Sequence, residues 1–276
     1  MTKLTCDIMS LSVETKESLH AKYNPDGSPL RIYQLRLLEI LKYFDSVCKA
    51  NNIKYWLSGG TCLGAVRHDG FIPWDDDIDV AMFRDDFEKL VSVFKETDDF
   101  ALQTYMNDPH YICTYAKVRD KHSWIFESVH TSKYKYTGAF VDVFIIEKGL
   151  PSIGKMTSHL TRFLDRIDQK DPSNVFFDTT FQICKPFFLA IIKLLQQMTR
   201  NVKRSEYMIG YGSPFWYQKY YINDIINIKY KYFEGTLFPV PADCDHYLSS
   251  IYGDYNSLPD LSKVKGEMHV KDLKYL

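Results

Sequence analysis

Four carboxylates fall within five positions, at Asp75, Asp76, Asp77 and Asp79. A solvated acidic run is usually flanked by more polar residues. Here Asp77, Asp79 and Ala81 alternate with Ile78, Val80 and Met82, which is the period of a half-buried strand. That period sets Asp77 and Asp79 side by side on one face. Carboxylates so close repel, and one of them is driven to a higher pKa unless a cation fills the gap. A divalent metal answers this charge, and Mg2+, with Mn2+ as its substitute, suits hard oxygen ligands with open water positions. A calcium loop does not fit, because Val80 stands where the loop requires Gly and position twelve is Asp86.

Two further features bear on the same chemistry. Asp142 is a lone acid in the apolar strand pattern of residues 140–146, opposite the face of Val141, Val143 and Ile145. Gly59-Gly60-Thr61 sits at a strand-to-helix turn, where backbone can approach a phosphate at a helix N-terminus. Arg67, Lys117 and Arg119 are candidate phosphate clamps, and each reads equally well as a solvated or locally paired cation. Phosphoryl transfer asks for metal ligands, a backbone cradle and a few cations, and the sequence supplies all three.

The elements that must position these groups are legible in outline. Ser28-Pro29 is placed to cap a helix whose apolar residues recur at Leu30, Tyr33, Leu37, Ile40, Leu41, Phe44, Val47 and Cys48. Residues 53–57 read as a strand, 61–66 as a short helix and 85–94 as an amphipathic helix. Residues 100–105, 111–118 and 123–126 read as strands. Beyond Gly149 the pattern becomes mostly helical, then Tyr-rich at 220–233 and 238–241. The chain divides into an N-terminal extension (1–29), a catalytic core (30–150) and a helical, Tyr-rich C-terminal region (151–276) packing on that core.

Bulk properties exclude several classes. With 276 residues, 45% of them hydrophobic, the chain can bury a sizeable core. A formal net charge of −1 offers no general attraction to nucleic acid. Cys6, Cys48, Cys62, Cys113, Cys184 and Cys244 form no C-x-x-C pair, so neither a zinc site nor a disulfide framework is signalled, and a reducing cytosol fits. The first twenty residues hold no h-region, and no unbroken apolar run approaches the ~20 residues that span a bilayer, so the expectation is a chain neither exported by a signal peptide nor transmembrane. Residues 181–195, followed by Arg200, Lys203 and Arg204, could lie on a membrane surface; the alternative is a buried helix.

The Gly-Gly-Thr turn, the Asp-x-Asp pair and the later strand Asp together resemble the nucleotidyltransferase fold of polymerase-β-like enzymes. Residues 55–80 resemble the signature of the LicD family, phosphocholine transferases related to fukutin-type polyol-phosphate transferases. Supporting matches are Ala116–Asp120, residues 140–144, 238–241, Tyr247-Leu248, residues 252–255 and His269. The resemblance implies an α+β fold with a mixed sheet flanked by helices. It also implies transfer of a phospho-substituent from a CDP-linked donor to a hydroxyl of a glycan, or lipid-linked glycan, precursor of the cell surface (lipopolysaccharide, capsule or teichoic acid), with release of CMP. By the same resemblance Asp77, Asp79 and Asp142 are the metal and catalytic carboxylates, Asp75 supports them, and Asp142 receives the acceptor's proton. Asp76 is expected to point away. The enzyme would be cytoplasmic, with weak peripheral contact at the inner membrane face.

The chain departs from the family pattern at Cys62, where an aliphatic residue is expected, and at residues 144–147, where a Pro and an Asp often follow the strand. Two rivals remain: a metal-dependent glycosyltransferase using a nucleotide sugar, and a catalytically inactive glycan-binding protein of the same fold. The glycine turn some seventeen positions before Asp77 disfavours the first, and retention of all three acids disfavours the second. His68 and His269 read as structural side chains. The aromatic residues of 207–238 read as core, with stacking on an acceptor sugar as the alternative.

Overall fold

The computed structural model describes residues 11–126, 133–170, 174–215, 217–264 and 272–275; His269 lies outside them. Helix α1 (Val13–Tyr23) precedes α2 (Pro29–Ala50). Strand β1 (Trp56–Leu57), helix α3 (Gly59–Arg67), strand β2 (Asp79–Phe83) and helix α4 (Arg84–Val93) follow. Then come β3 (Phe100–Gln103), β4 (Ala116–Asp120), β5 (Ser123–Phe126) and β6 (Phe140–Gly149). Helices α5 (Pro151–Gln169) and α6 (Val175–Thr199) lead to β7 (Glu206–Ile209), β8 (Lys219–Tyr220) and the short α7 (Ile222–Ile225). The hairpin of β9 (Ile228–Phe233) and β10 (Thr236–Pro241), helix α8 (Cys244–Tyr252) and β11 (Asp272–Tyr275) complete the described chain.

The architecture is α+β, with a mixed sheet flanked by helices. The sheet runs β1-β2-β6-β4-β3, and β7 extends it from the far half of β6 with β8 beyond. Strand β6 is central: residues 140–143 pair antiparallel with β4, 142–146 pair parallel with β2, and 146–149 pair antiparallel with β7. Helix α2 lies on the sheet because its i, i+3, i+4 residues Leu37, Ile40, Leu41 and Phe44 are apolar and buried. Its start is fixed by Ser28, whose Oγ accepts from the Arg31 N–H at 3.2 Å, and by Pro29 in the first turn.

Several expected elements are shifted. Strand β1 holds only Trp56 and Leu57, and β2 begins at Asp79, because residues 75–78 run as irregular chain pinned by Gln34, whose Nε2 donates to the Asp75 carbonyl at 2.8 Å. The expected strand at 111–118 is a strand only from Ala116. Its earlier half is a loop, and the chain just before it is held by the buried Lys185, whose Nζ donates to the carbonyls of Asp108 and Pro109 at 2.8 Å each. Helix α1 had no periodic apolar pattern to announce it. It is capped by Ser12 and its end packs the Tyr23 ring on Trp74 at 5.2 Å, beside the acidic segment.

By length and composition α6 is long and apolar enough to cross a bilayer, although Lys185 and Lys193 interrupt its apolar run. Its inner face is tied to the domain: Phe181, Phe188 and Ile192 belong to a buried cluster with Leu164 of α5 and Met208 of β7.

Candidate active site

The parallel pairing of β2 and β6 puts Asp79 directly opposite Asp142. The register is locked at this point, since the Asp142 N–H donates to the Ile78 carbonyl at 2.9 Å and the Asp79 N–H donates to Thr61 Oγ1 at 2.8 Å. Thr61, expected to face a phosphate, therefore acts on the strand that carries the acid. On the other side of β6, Lys117 of β4 faces Asp142 and places its Nζ 2.8 Å from Oδ1. The same ammonium lies 3.2 Å from the centre of the Phe140 ring.

The glycine turn meets the acids directly. Gly59 has φ +52°, a left-handed conformation that disfavours any side chain. A Cβ there would sit 3.4 Å from Asp79 Oδ2 and 3.6 Å from the Tyr252 hydroxyl, and one on Gly60 would sit 3.0 Å from Asp75 Oδ2. The two missing side chains thus let Asp79 and Asp75 approach the N-terminus of α3, whose dipole favours negative charge. The turn is held from α8: Tyr247 Oη is 2.9 Å from Ser58 Oγ and accepts from the Gly59 N–H at 3.3 Å.

The electrostatics match the packing. Burial, followed by the charges of Asp77, Asp142 and Asp75, raises the Asp79 carboxyl well above the usual carboxylate range, while Lys117 acts in the opposite sense. Burial and the charges of Asp79, Asp75 and Asp77 raise the Tyr252 phenol, so its hydroxyl stays protonated and able to donate at neutral pH. Asp76 is 4% exposed; it turns into the protein rather than toward solvent. In front of Gly59 and Asp79 opens a cavity of about 610 Å3, walled by Phe144, Phe215, Tyr220 and Tyr252.

Of the three candidate clamps, only Lys117 is found at the carboxylates. Arg67 is buried, with Nη1 donating to the carbonyls of Tyr255 (2.8 Å) and Ser257 (3.0 Å) and Nε donating to His68 Nε2 (3.0 Å). Arg119 is buried under the Phe140 ring and donates to Gln103 Oε1 and the Gly138 carbonyl, at 2.7 Å each. His68 is a structural acceptor, and burial with the neighbouring Arg67 pushes its pKa down to about 3. The departures from the family pattern are structural too. Cys62 is fully buried, with the Cys244 thiol as a neighbour. Glu147 accepts from Arg84 at 2.9 Å and from Gln196 at 2.8 Å.

Tyr247 and Tyr252 are site residues that sequence reasoning overlooked. Both fall in segments singled out for their resemblance, but nothing local shows that they reach a turn nearly two hundred positions earlier. Sequence reasoning also missed a second acidic group: His110, Asp168 and Asp178 offer ligand atoms within 4.8 Å of one another. Lys133 already supplies a cation there, its Nζ 3.1 Å from Asp168 and 3.6 Å from Asp178.

The fold and site define an α+β protein with a cleft that opens beside clustered carboxylates, and comparison with known proteins places it in a family. The family described as LicD/FKTN/FKRP, nucleotidyltransferase domain, matches residues 52–180. Lipopolysaccharide cholinephosphotransferase LicD of Haemophilus influenzae is 33% identical over 261 residues, which cover 83% of this chain and 92% of that one. Human ribitol 5-phosphate transferase FKRP is 44% identical over 50 residues, 18% of this chain and 10% of its own. Mouse ribitol-5-phosphate transferase FKTN is 33% identical over 66 residues, 24% and 14% of the two chains. The chain belongs to the LicD family.

Proposed function

We propose that this protein is a phosphotransferase of the nucleotidyltransferase fold that moves a phospho-substituent, phosphocholine or a polyol phosphate, from a CDP-linked donor to a hydroxyl of a cell-surface glycan precursor. The observation that carries the reading is the opposition of Asp79 and Asp142 beside the left-handed Gly59 turn. The relatives that act on cholinephosphate or ribitol phosphate support it.

The donor set fits a divalent cation. Asp75, Asp77, Asp79 and Asp142 supply hard oxygens, and three carboxylates against one ammonium act on Asp79. Asp77, Asp79 and Asp142 are the proposed ligands, with Asp75 in support. Bound there, Mg2+ or Mn2+ would neutralise the phosphate oxygens of the donor. The chain's own residues do the rest. Gly59 and Gly60 let the Asp79 and Asp75 carboxylates stand against the α3 N-terminus, at the edge of the cavity that would take the donor. The Tyr252 hydroxyl donates into the cavity. Asp142, steadied by Lys117, takes the proton from the acceptor hydroxyl as its oxygen bonds to the distal phosphorus and the bond to CMP breaks. Arg67 and Arg119 contribute by holding the walls in place. The cytoplasm is the compartment proposed for the reaction.

The test is incubation with Mg2+, a glycan extract and CDP-choline, CDP-ribitol, CDP-glycerol or UDP-sugars in turn. Release of CMP with labelling of the glycan is the expected result. Release of UDP alone would sink the proposal.

A further inference from the structure

Helix α6 presents solvent with a side that no described element covers. Phe176, Ile183, Phe187, Ile191, Leu194 and Met198 follow one another at spacings of seven, four, four, three and four residues, so they form one stripe. All are exposed, Phe176 at 71%, Phe187 at 68% and Met198 at 65%. The neighbouring helix α5 adds Met156, Leu160 and Phe163 at i, i+4 and i+7, also exposed. Isolated exposed apolar residues need no explanation, but a stripe running the length of a 25-residue helix does.

Charge identifies what covers it. Residues 151–204 carry nine Lys and Arg against four Asp and Glu, in a chain whose net charge is −1. Arg162 and Arg166 on α5 and Lys170 just past its end are exposed, as are Arg200, Lys203 and Arg204 just past the end of α6. A second copy of the chain would bring two such basic surfaces together, which like charges oppose. An aqueous protein partner would have to match both a long apolar stripe and its cationic ends, whereas an anionic lipid surface offers both complements at once. Spanning is disfavoured, because Lys185 is fastened to the Asp108 and Pro109 carbonyls and Phe181, Phe188 and Ile192 are in the core.

We propose that the α5–α6 pair seats the protein on an anionic membrane surface, the α6 stripe lying in the headgroup layer and the flanking cations on lipid phosphates. The test reads lipid binding alone and needs no turnover, so its outcome is independent of the proposed transferase activity. Purified full-length protein is floated with vesicles of phosphatidylcholine mixed with phosphatidylglycerol, and with phosphatidylcholine alone, across a salt series. Co-flotation with the anionic vesicles, weakening as salt rises, is expected. Phe187→Glu and Leu194→Glu, both at exposed positions, should each lower partitioning by about ten-fold or more with an unchanged melting temperature. Lys203→Glu with Arg204→Glu should lower it by roughly five-fold or more and flatten the salt dependence. Absence of co-flotation at low salt overturns the proposal. So does equal binding to neutral vesicles, or a dimer in sedimentation velocity that Phe187→Glu dissolves.

Discussion

Asp79 and Asp142 stand opposite each other on adjacent parallel strands, and the Lys117 ammonium reaches only the second of them. Asp79 is left among like charges. Its raised pKa means that the folded state binds a proton more readily than the unfolded chain. The metal-free protein therefore loses stability as pH rises from the ordinary carboxylate range toward the folded value. Asp79→Asn should raise the melting temperature in chelator at neutral pH while lowering transfer at least a hundred-fold. Mg2+ should stabilise the wild type and not the variant, as calorimetry with and without metal would register. Wild-type turnover in Asp79→Asn or Asp77→Asn would remove the metal assignment.

Lys117→Met separates the roles of the pair. Removing one partner of a buried ion pair leaves a carboxylate without its counter-charge, so urea unfolding should show a loss of about 3 kcal/mol. Activity should fall further than stability does. Lys117→Arg should recover most of the stability and little of the rate, since a guanidinium cannot occupy the 3.2 Å position over Phe140 in the same way. Full kinetic rescue by Arg would mean that Lys117 supplies only charge.

Gly59→Ala tests the turn. The left-handed φ and the approach to Asp79 Oδ2 should together cost about 1–2 kcal/mol in chemical denaturation and more than ten-fold in rate. Gly27, also at positive φ but with nothing near its missing Cβ, is the control: Gly27→Ala should cost stability alone.

The two tyrosines of α8 should behave differently. Tyr247→Phe removes the partner of Ser58 and of the Gly59 N–H, and should cost about 1–2 kcal/mol. Tyr252→Phe should leave the melting temperature within a degree or two and lower turnover. Equal effects of the two on stability would place Tyr252 in the scaffold instead.

His68 sets an acid limit. Its folded pKa of about 3 lies below the unfolded value near 6.5, so its contribution is complete above pH 6.5 and is lost as pH falls toward 3. Stability should decline by on the order of 1 kcal/mol per pH unit in that window. His68→Gln should flatten the slope when melting temperature is followed against pH.

The acids and the helix face of α2 were legible because they repeat at the spacing of the element that carries them. Asp79 and Asp142 could be read as strand acids, but not their direct opposition, which depends on a register that no local pattern encodes. For the cations the sequence offered no view of their partners: Arg67 is buried and donates to the Tyr255 and Ser257 carbonyls, and Arg119 is buried and donates to Gln103 Oε1 and the Gly138 carbonyl. The loop at 111–115 misled because its apolar residues have a strand's composition, while a lysine from a helix seventy positions later satisfies the adjoining backbone. Tyr247 and Tyr252 could be found only by their arrival in space.

The clamp of Tyr247 on Ser58 joins positions 189 apart. During synthesis the acidic strand and the glycine turn emerge long before residues 244–252 exist, so a partly made chain has the carboxylates but nothing to brace the turn against them. Loop closure over that distance is slow relative to local helix formation, which makes it one of the late folding events. A nascent or C-terminally clipped chain would carry the acids beside an unbraced turn, and the proposed reaction would then depend on the docking of α8.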